Sequence, residues 1–302
     1  MACDVHRRAV PALAAGDRIA DAMKSLREAL IDNNLSRISG EIEATTKKSV
    51  RLSSEKRSSD ATNRLGGKPN LPKELAWPTW REEPLAFVAQ LDLATLPEVP
   101  GLPLPQTGSL SFFFEGGENA WGFSPDDAGS GVVLYMQEPL SSFPLRSIPE
   151  ELEDHLRFQG VRLLAQTPAV TVPGLQDQAL DHLGMSTEER EGYYNFQTSL
   201  EESEPGSIHR IGGYPDCVQD DPKLEAHLVS KGLYCGDQTG YKTGKKRGLF
   251  SGAKDWELLL QIDSDDKAKM MWGDVGRIYF LIHKSALAAR RFDQTWVVFQ
   301  CS

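Results

Sequence analysis

The rhythm of apolar and polar positions changes near residue 65. Before it, "DRIADAMKSLREALID" (17–32) sets Ile19, Met23, Leu26 and Leu30 on one stripe with a polar opposite face. That spacing predicts an amphipathic helix, ended by Asn33 and Asn34, within a helical extension over 1–44. Residues 45–64 are rich in Ser, Thr, Lys and Arg and read as an irregular, solvated lead-in. Beyond 65, apolar residues come in short runs separated by Pro and Gly. "SLSFFFE" (109–115), "GVVLYMQ" (131–137), "RIYFLIH" (277–283) and "TWVVFQ" (295–300) have strand length and strand composition. Helices are expected between 147 and 232. "PEELEDHLRFQG" has Pro149 near its start and Gly160 past its end. "STEEREGYYNFQTSL" has Ser186 and Glu189 at capping-box spacing. "DDPKLEAHLVSKG" places Asp221, Pro222 and Gly232 in the same logic.

The strand pattern repeats. Phe87-Val88-Ala89-Gln90-Leu91-Asp92 aligns with Leu258-Leu259-Leu260-Gln261-Ile262-Asp263. Leu65-Gly66-Gly67-Lys68-Pro69 aligns with Ile211-Gly212-Gly213-Tyr214-Pro215, and Gly108 to Phe114 with Gly276 to Ile282. Val132-Val133-Leu134 aligns with Val297-Val298-Phe299, so four blocks recur in one order. The pattern predicts two β repeats, about 64–137 and 208–302, joined by a helical connector over 138–207, all within one domain spanning 45–302. In each Gly-Gly-x-Pro block, glycine permits a positive φ and proline fixes the exit. Alternation sends Leu110, Phe112 and Phe114 to one face, and Ile278, Phe280 and Ile282 likewise, as the expected shared core. The fold class is mainly β, α+β by content: a duplicated β unit forming a roll- or barrel-like core with peripheral helices.

"LGGKPNLPKELAWP", "FVAQLDL", "GSLSFFFE", "WGFSPDDAGSGVVLY", "HRIGGYPDCVQDDP" and "WELLLQIDSDD…MWGDVGRIYFLI" together resemble the YwqG-like family, a bacterial family of unknown function, over about residues 45–300. The resemblance implies a duplicated, mainly β fold with peripheral helices. It implies no activity, substrate or catalytic residue. The chain departs from the family pattern at Gly131, where a bulkier residue is expected.

Composition narrows the function. The chain has 302 residues and a formal net charge of −10, from 43 acidic and 33 basic side chains. That balance opposes nucleic-acid binding and docking on anionic membranes, and suits a basic protein partner. No run reaches membrane-helix length, so a cytoplasmic location is expected. Cys3, Cys217, Cys235 and Cys301 form no CxxC pair, and Cys217 and Cys235 are expected as buried thiols.

Candidate chemistry is sparse. Gln90, Asp92, Gln261 and Asp263 either line one cleft between the repeats, with Asp92 and Asp263 as acid and base of a hydrolase or metal-assisted site, or bond the backbone of neighbouring turns. "DSDD" (263–266) lacks the glycine of a calcium loop, since Ala268 stands there. "GYKTGKKRG" misses phosphate-loop spacing and reads as an exposed basic loop. Asp126 and Asp127 read as turn formers. Among six histidines none forms an HExxH pair, and His209, beside the second Gly-Gly turn, is the one expected nearest a cleft. Trp77 and Trp80 either stack on a ligand or roof the first repeat. The expectation is a binding or interaction protein without cofactor or metal, with Trp77, Trp80, Gln90, Gln261 and His209 as ligand-site candidates. An enzyme using Asp92 and Asp263, or a small-ligand binder with an aromatic cleft, are the alternatives.

Overall fold

A computed structural model describes residues 15–58, 61–117, 119–203 and 206–301. Cys3 and His6 lie outside them, as does the side chain of Ile19. The strands are β1 (Lys47–Arg57), β2 (Arg64–Leu65), β3 (Thr79–Trp80), β4 (Glu83–Pro84), β5 (Ala86–Asp92), β6 (Ser109–Phe114), β7 (Gly131–Met136), β8 (Val161–Thr171), β9 (His209–Gly212), β10 (Trp256–Asp263), β11 (Arg277–His283) and β12 (Trp296–Gln300). Helices α1 (Ala15–Asp32), α2 (Ser39–Thr45), α3 (Thr187–Ser203), α4 (Pro222–Ser230), α5 (Gln238–Lys246) and α6 (Lys284–Ala288) lie around them. Ten strands form one antiparallel, nearly closed, barrel-like sheet in the order β12-β11-β10-β9-β1-β8-β2-β5-β6-β7. Among the described residues no helix is long and apolar enough to cross a membrane.

The strand order is symmetric about the β1–β8 pair. On one side β8 is followed by β2, β5, β6 and β7; on the other β1 is followed by β9, β10, β11 and β12. Registers correspond as well. Arg64 pairs with Gln90, and Arg210 with Gln261. A register shift falls between Phe87 and Ala89 in β5 and between Leu258 and Leu260 in β10, the aligned position. Both Gly-Gly turns use positive φ: 61° and 75° at Gly66 and Gly67, 67° and 77° at Gly212 and Gly213. A Cβ on Gly67 would come 2.8 Å from Gly160 Cα, and one on Gly213 would come 2.8 Å from Ser49 Cβ. These turns press on their neighbouring strands, so glycine is required sterically as well as conformationally.

Leu110, Phe112, Phe114, Ile278, Phe280 and Ile282 all point into the main core. Phe112 and Phe280, aligned residues, meet edge-on with centroids 5.0 Å apart. The alternate residues face outward into smaller clusters: Phe113 packs under Trp77 and Trp80, and Tyr279 and Leu281 pack under α4. Beyond the sheet, α1, α2 and α3 share an apolar cluster around Leu30, Ile42, Tyr193 and Phe196.

Several local expectations change. Residues 47–57, read as solvated lead-in, form β1 at the centre of the sheet. "PEELEDHLRFQG" contains only a short 3-10 turn at Asp154–Leu156. The stretch 138–207 includes α3, but also the central strand β8. "GYKTGKKRG" falls largely within α5, capped by Asp237 accepting from the Thr239 N–H. The expected caps of α3 and α4 are present: Ser186 and Glu189 exchange hydrogen bonds, and Asp221 accepts from the Lys223 N–H.

Candidate functional site

The paired glutamines are buried, at 0% exposure. Gln90 Oε1 accepts from the Asn70 N–H at 2.9 Å, while its Nε2 donates to the Asn70 carbonyl and to Ser111 Oγ. Gln261 Oε1 accepts from the Asp216 N–H at 2.9 Å, and its Nε2 donates to the Ile208 carbonyl. Asn70 and Asp216 are themselves aligned, so each glutamine clamps the same turn of its own half.

The aspartates likewise close separate turns. Asp92 Oδ1 accepts from the Ala94 N–H, and the Asp92 N–H donates to Asn63 Oδ1 at 2.7 Å. Asp263 Oδ2 accepts from the Ile208 N–H at 2.9 Å, and Oδ1 accepts from the Ser264 N–H and Arg277 Nε. His209 occupies the position of Asn63: its Nδ1 accepts from the Asp263 N–H at 3.1 Å. A backbone amide only donates, so Nδ1 carries no proton, and a neutral ring bears its proton on Nε2, 3.2 Å from Asp265 Oδ2. Burial alone would raise the Asp265 carboxyl, but bonds from His209 and the Ala268 N–H hold it well below the usual range. His209 is thus drawn to Asp263 and to the turn held by Gln261, while Asp92 belongs to the other half.

The two tryptophans roof the first half. Trp77 donates to the Leu85 carbonyl at 2.9 Å and stands edge-on to Phe113, with centroids 5.4 Å apart. Trp80 donates to the Ala128 carbonyl at 3.0 Å and carries the Arg81 guanidinium 4.0 Å above its ring. Trp80 also borders a groove of about 280 Å³ that Trp77 does not line.

The two halves diverge beside their Gly-Gly-x-Pro turns. In the first, Arg64 is 3% exposed and donates to the Lys68 carbonyl and Asn70 Oδ1. Asn70 then bridges to Leu145, and Leu71 is fully buried. In the second, the corresponding contact to Asp216 comes from Arg277 of β11, whose Nη1 reaches Asp216 Oδ2 at 2.6 Å. Ser109 is the aligned residue in β6. Arg210, aligned with Arg64, instead lines a cleft of about 560 Å³ between the sheet and α3.

Ser49 and Arg51 of β1, Arg210 of β9 and Arg277 of β11 line one side of that cleft; Tyr194, Gln197 and Thr198 of α3 line the other. Gln176, Cys217 and Gln219 lie at one end. Arg51 and Arg210 are cross-strand partners, and each is engaged within the chain. Burial alone would lower the Arg277 guanidinium, but Asp216 and Asp263 raise it and keep it charged. Tyr194 and Val275 face the cleft 63% exposed. Val275 has φ 51°, a strained conformation for a β-branched residue. Burial, with Asp221 adding to it, pushes the Cys217 thiol well up, which leaves little thiolate for nucleophilic chemistry. In an adjoining niche, buried Lys223 pairs with Asp177 and lies 3.9 Å from Asp221 and 4.9 Å over the Tyr214 ring. Among the described residues no three His, Cys, Asp or Glu side chains converge on a metal position.

Residues 63–301 match the family described as "Domain of unknown function (DUF1963)". The chain belongs to that family. No curated protein matches it. The DUF1963 match begins after β1, although β1 supplies Ser49 and Arg51 to the cleft and pairs with both β8 and β9.

The cleft residues escaped the sequence reading, yet a signal existed. Val-Arg-Leu occurs at 50–52 and again at 161–163, and arginine precedes both Gly-Gly turns at 64 and 210. Extending the alignment to those tripeptides pairs β1 with β8 and marks the arginines.

Proposed function

We propose that this DUF1963 protein is a cytoplasmic, YwqG-like binding protein that arose by internal duplication, and that its ligand site is the cleft between β1, β9, β11 and α3. One observation carries this reading: Arg64 is buried against its own turn in the first half, whereas its counterpart Arg210 lines an open cleft in the second. The volume is within the range of small-molecule sites. Guanidinium, amide and hydroxyl donors dominate the polar lining, so the ligand is a small molecule rich in acceptors, such as a carboxylate or phosphate ester. The exposed Tyr194 ring and Val275 supply its apolar contacts. Asp92 and Asp263 carry no catalytic role in this reading, because each is spent on its own turn.

The test is thermal unfolding of the full chain against a panel of carboxylates and phosphate esters, beside Thr198→Trp, which fills the cleft from α3. A panel member should raise the Tm of the native chain and leave the variant unchanged. Equal shifts in both, or none in either, would refute the assignment.

A further inference from the structure

A second hollow, of about 500 Å³, opens beside α4 and α5 on the second half of the sheet. Phe123, Tyr241 and Phe250 line it, with Asp220 and Asp237 at its edge. Glu225 of α4 also lines it while only 3% exposed. Glu225 Oε1 accepts from the Tyr241 hydroxyl at 2.7 Å; Oε2 is enclosed and has no hydrogen-bond partner among the described residues. The Gln300 amide, which also favours the charged carboxylate, donates to the Asp220 carbonyl at 2.8 Å. Lys242 and Lys245 belong to the same lining, yet neither bonds Oε2.

We propose that this hollow binds a small organic cation, a primary ammonium on an aromatic or other apolar body, whose charged head takes the vacant Oε2 of Glu225. Buried polar oxygens are normally satisfied, and no cation among the described residues satisfies this one. The aromatic lining suits both a ring and an adjacent positive charge. A metal ion is disfavoured, since no three ligating side chains converge among the described residues. The local field agrees. Burial, then Asp220 and Asp221, push the Glu225 carboxyl up to about 8 against the bond from Tyr241 and the nearby Gln300 amide. Burial, then Glu225 and Asp237, push the Cys235 thiol up to about 12. Burial and Glu225 also raise the Tyr241 hydroxyl. Burial dominates these shifts, and Asp220, Asp221 and Asp237 add a negative field that an incoming cation relieves.

The empty site therefore holds a proton on Glu225 at neutral pH, and an ammonium displaces it. Affinity should rise about tenfold per pH unit and level off above about pH 8, where the carboxyl ionises unaided. The probe is phenethylamine, titrated calorimetrically into the full chain from about pH 6 to about pH 8.5, with phenethyl alcohol as the neutral twin. Saturable binding of the amine alone, with that pH slope and proton release, is expected. Glu225→Gln keeps the shape and should lose both binding and slope. If Glu225→Gln fails to fold by circular dichroism, Asp220→Asn with Asp237→Asn replaces it and should weaken binding several-fold. No saturable amine binding, equal binding of the alcohol, or affinity unchanged in the folded variant would overturn the proposal.

Discussion

Gln261 is one side chain that satisfies two backbone groups of different segments, the Asp216 N–H and the Ile208 carbonyl. Gln261→Leu fills the same space and leaves both without a partner. Each buried orphan costs about 1–3 kcal/mol, so urea denaturation should show a loss of about 2–6 kcal/mol, and Gln90→Leu a comparable loss. Titration at this scale has opposite signs at two carboxyls. Asp265 is depressed in the folded chain. Its stabilisation is present above the unfolded carboxylate range and is lost as pH falls below it. Asp265→Asn should be less stable at neutral pH and show a shallower acid limb. Glu225 is raised from 4.5 to about 8. The unfolded chain sheds that proton first, so this group's contribution falls as pH climbs through that window. Glu225→Gln should flatten the decline in Tm. The inward triplets around Phe112 and Phe280 were legible because strand alternation is strict. The partners of Gln90 and Gln261 were not, because a side chain bonding the backbone of a distant turn leaves no periodic trace.

Among the elements, β1 shows where sequence reading loses sight of physics. Only Ser49, Val50 and Leu52 of its eleven residues are buried, while its lysines, serines and arginines look like loop. It is nonetheless a strand because β8 and β9 pair with it on both sides. Pairing on both edges fixes the backbone even where side chains are polar, and composition does not reveal pairing. The same gap hid the cleft, whose walls come from β1, β9, β11 and α3, widely separated in sequence. A fragment limited to residues 63–301 would leave facing edges on β8 and β9 and remove Ser49 and Arg51. It should be aggregated or protease-sensitive, whereas a fragment starting at residue 46 should keep strand circular dichroism. That second fragment also uncovers Leu180, Leu183, Tyr193 and Phe196, so it should bind a hydrophobic dye. Stable folding of 63–301 alone would mean the central pair is dispensable.

The whole molecule depends on how the two ends of its sheet approach each other. β7 and β12 are the terminal strands, and residues 121–123 fill the seam beside β12. The Phe299 N–H donates to the Trp121 carbonyl at 2.9 Å, and Trp296 Nε1 donates to the Gly122 carbonyl at 3.0 Å. The Trp121 and Phe299 rings are 4.5 Å apart. Gly131 opens β7 against this seam, where a Cβ would sit 2.0 Å from Val297 Cγ2. Val297 already occupies the volume that a side chain at position 131 would need. Gly131→Ala should cost about 1–3 kcal/mol by overpacking, measured by denaturant unfolding. Val297→Ala removes the obstructing methyl and should itself destabilise through the cavity it leaves. Combined, the two changes should cost less than the sum of the single losses, because the new methyl enters the space Val297 vacates. Strict additivity would mean that Gly131 and Val297 do not share that volume and that the strand ends meet differently.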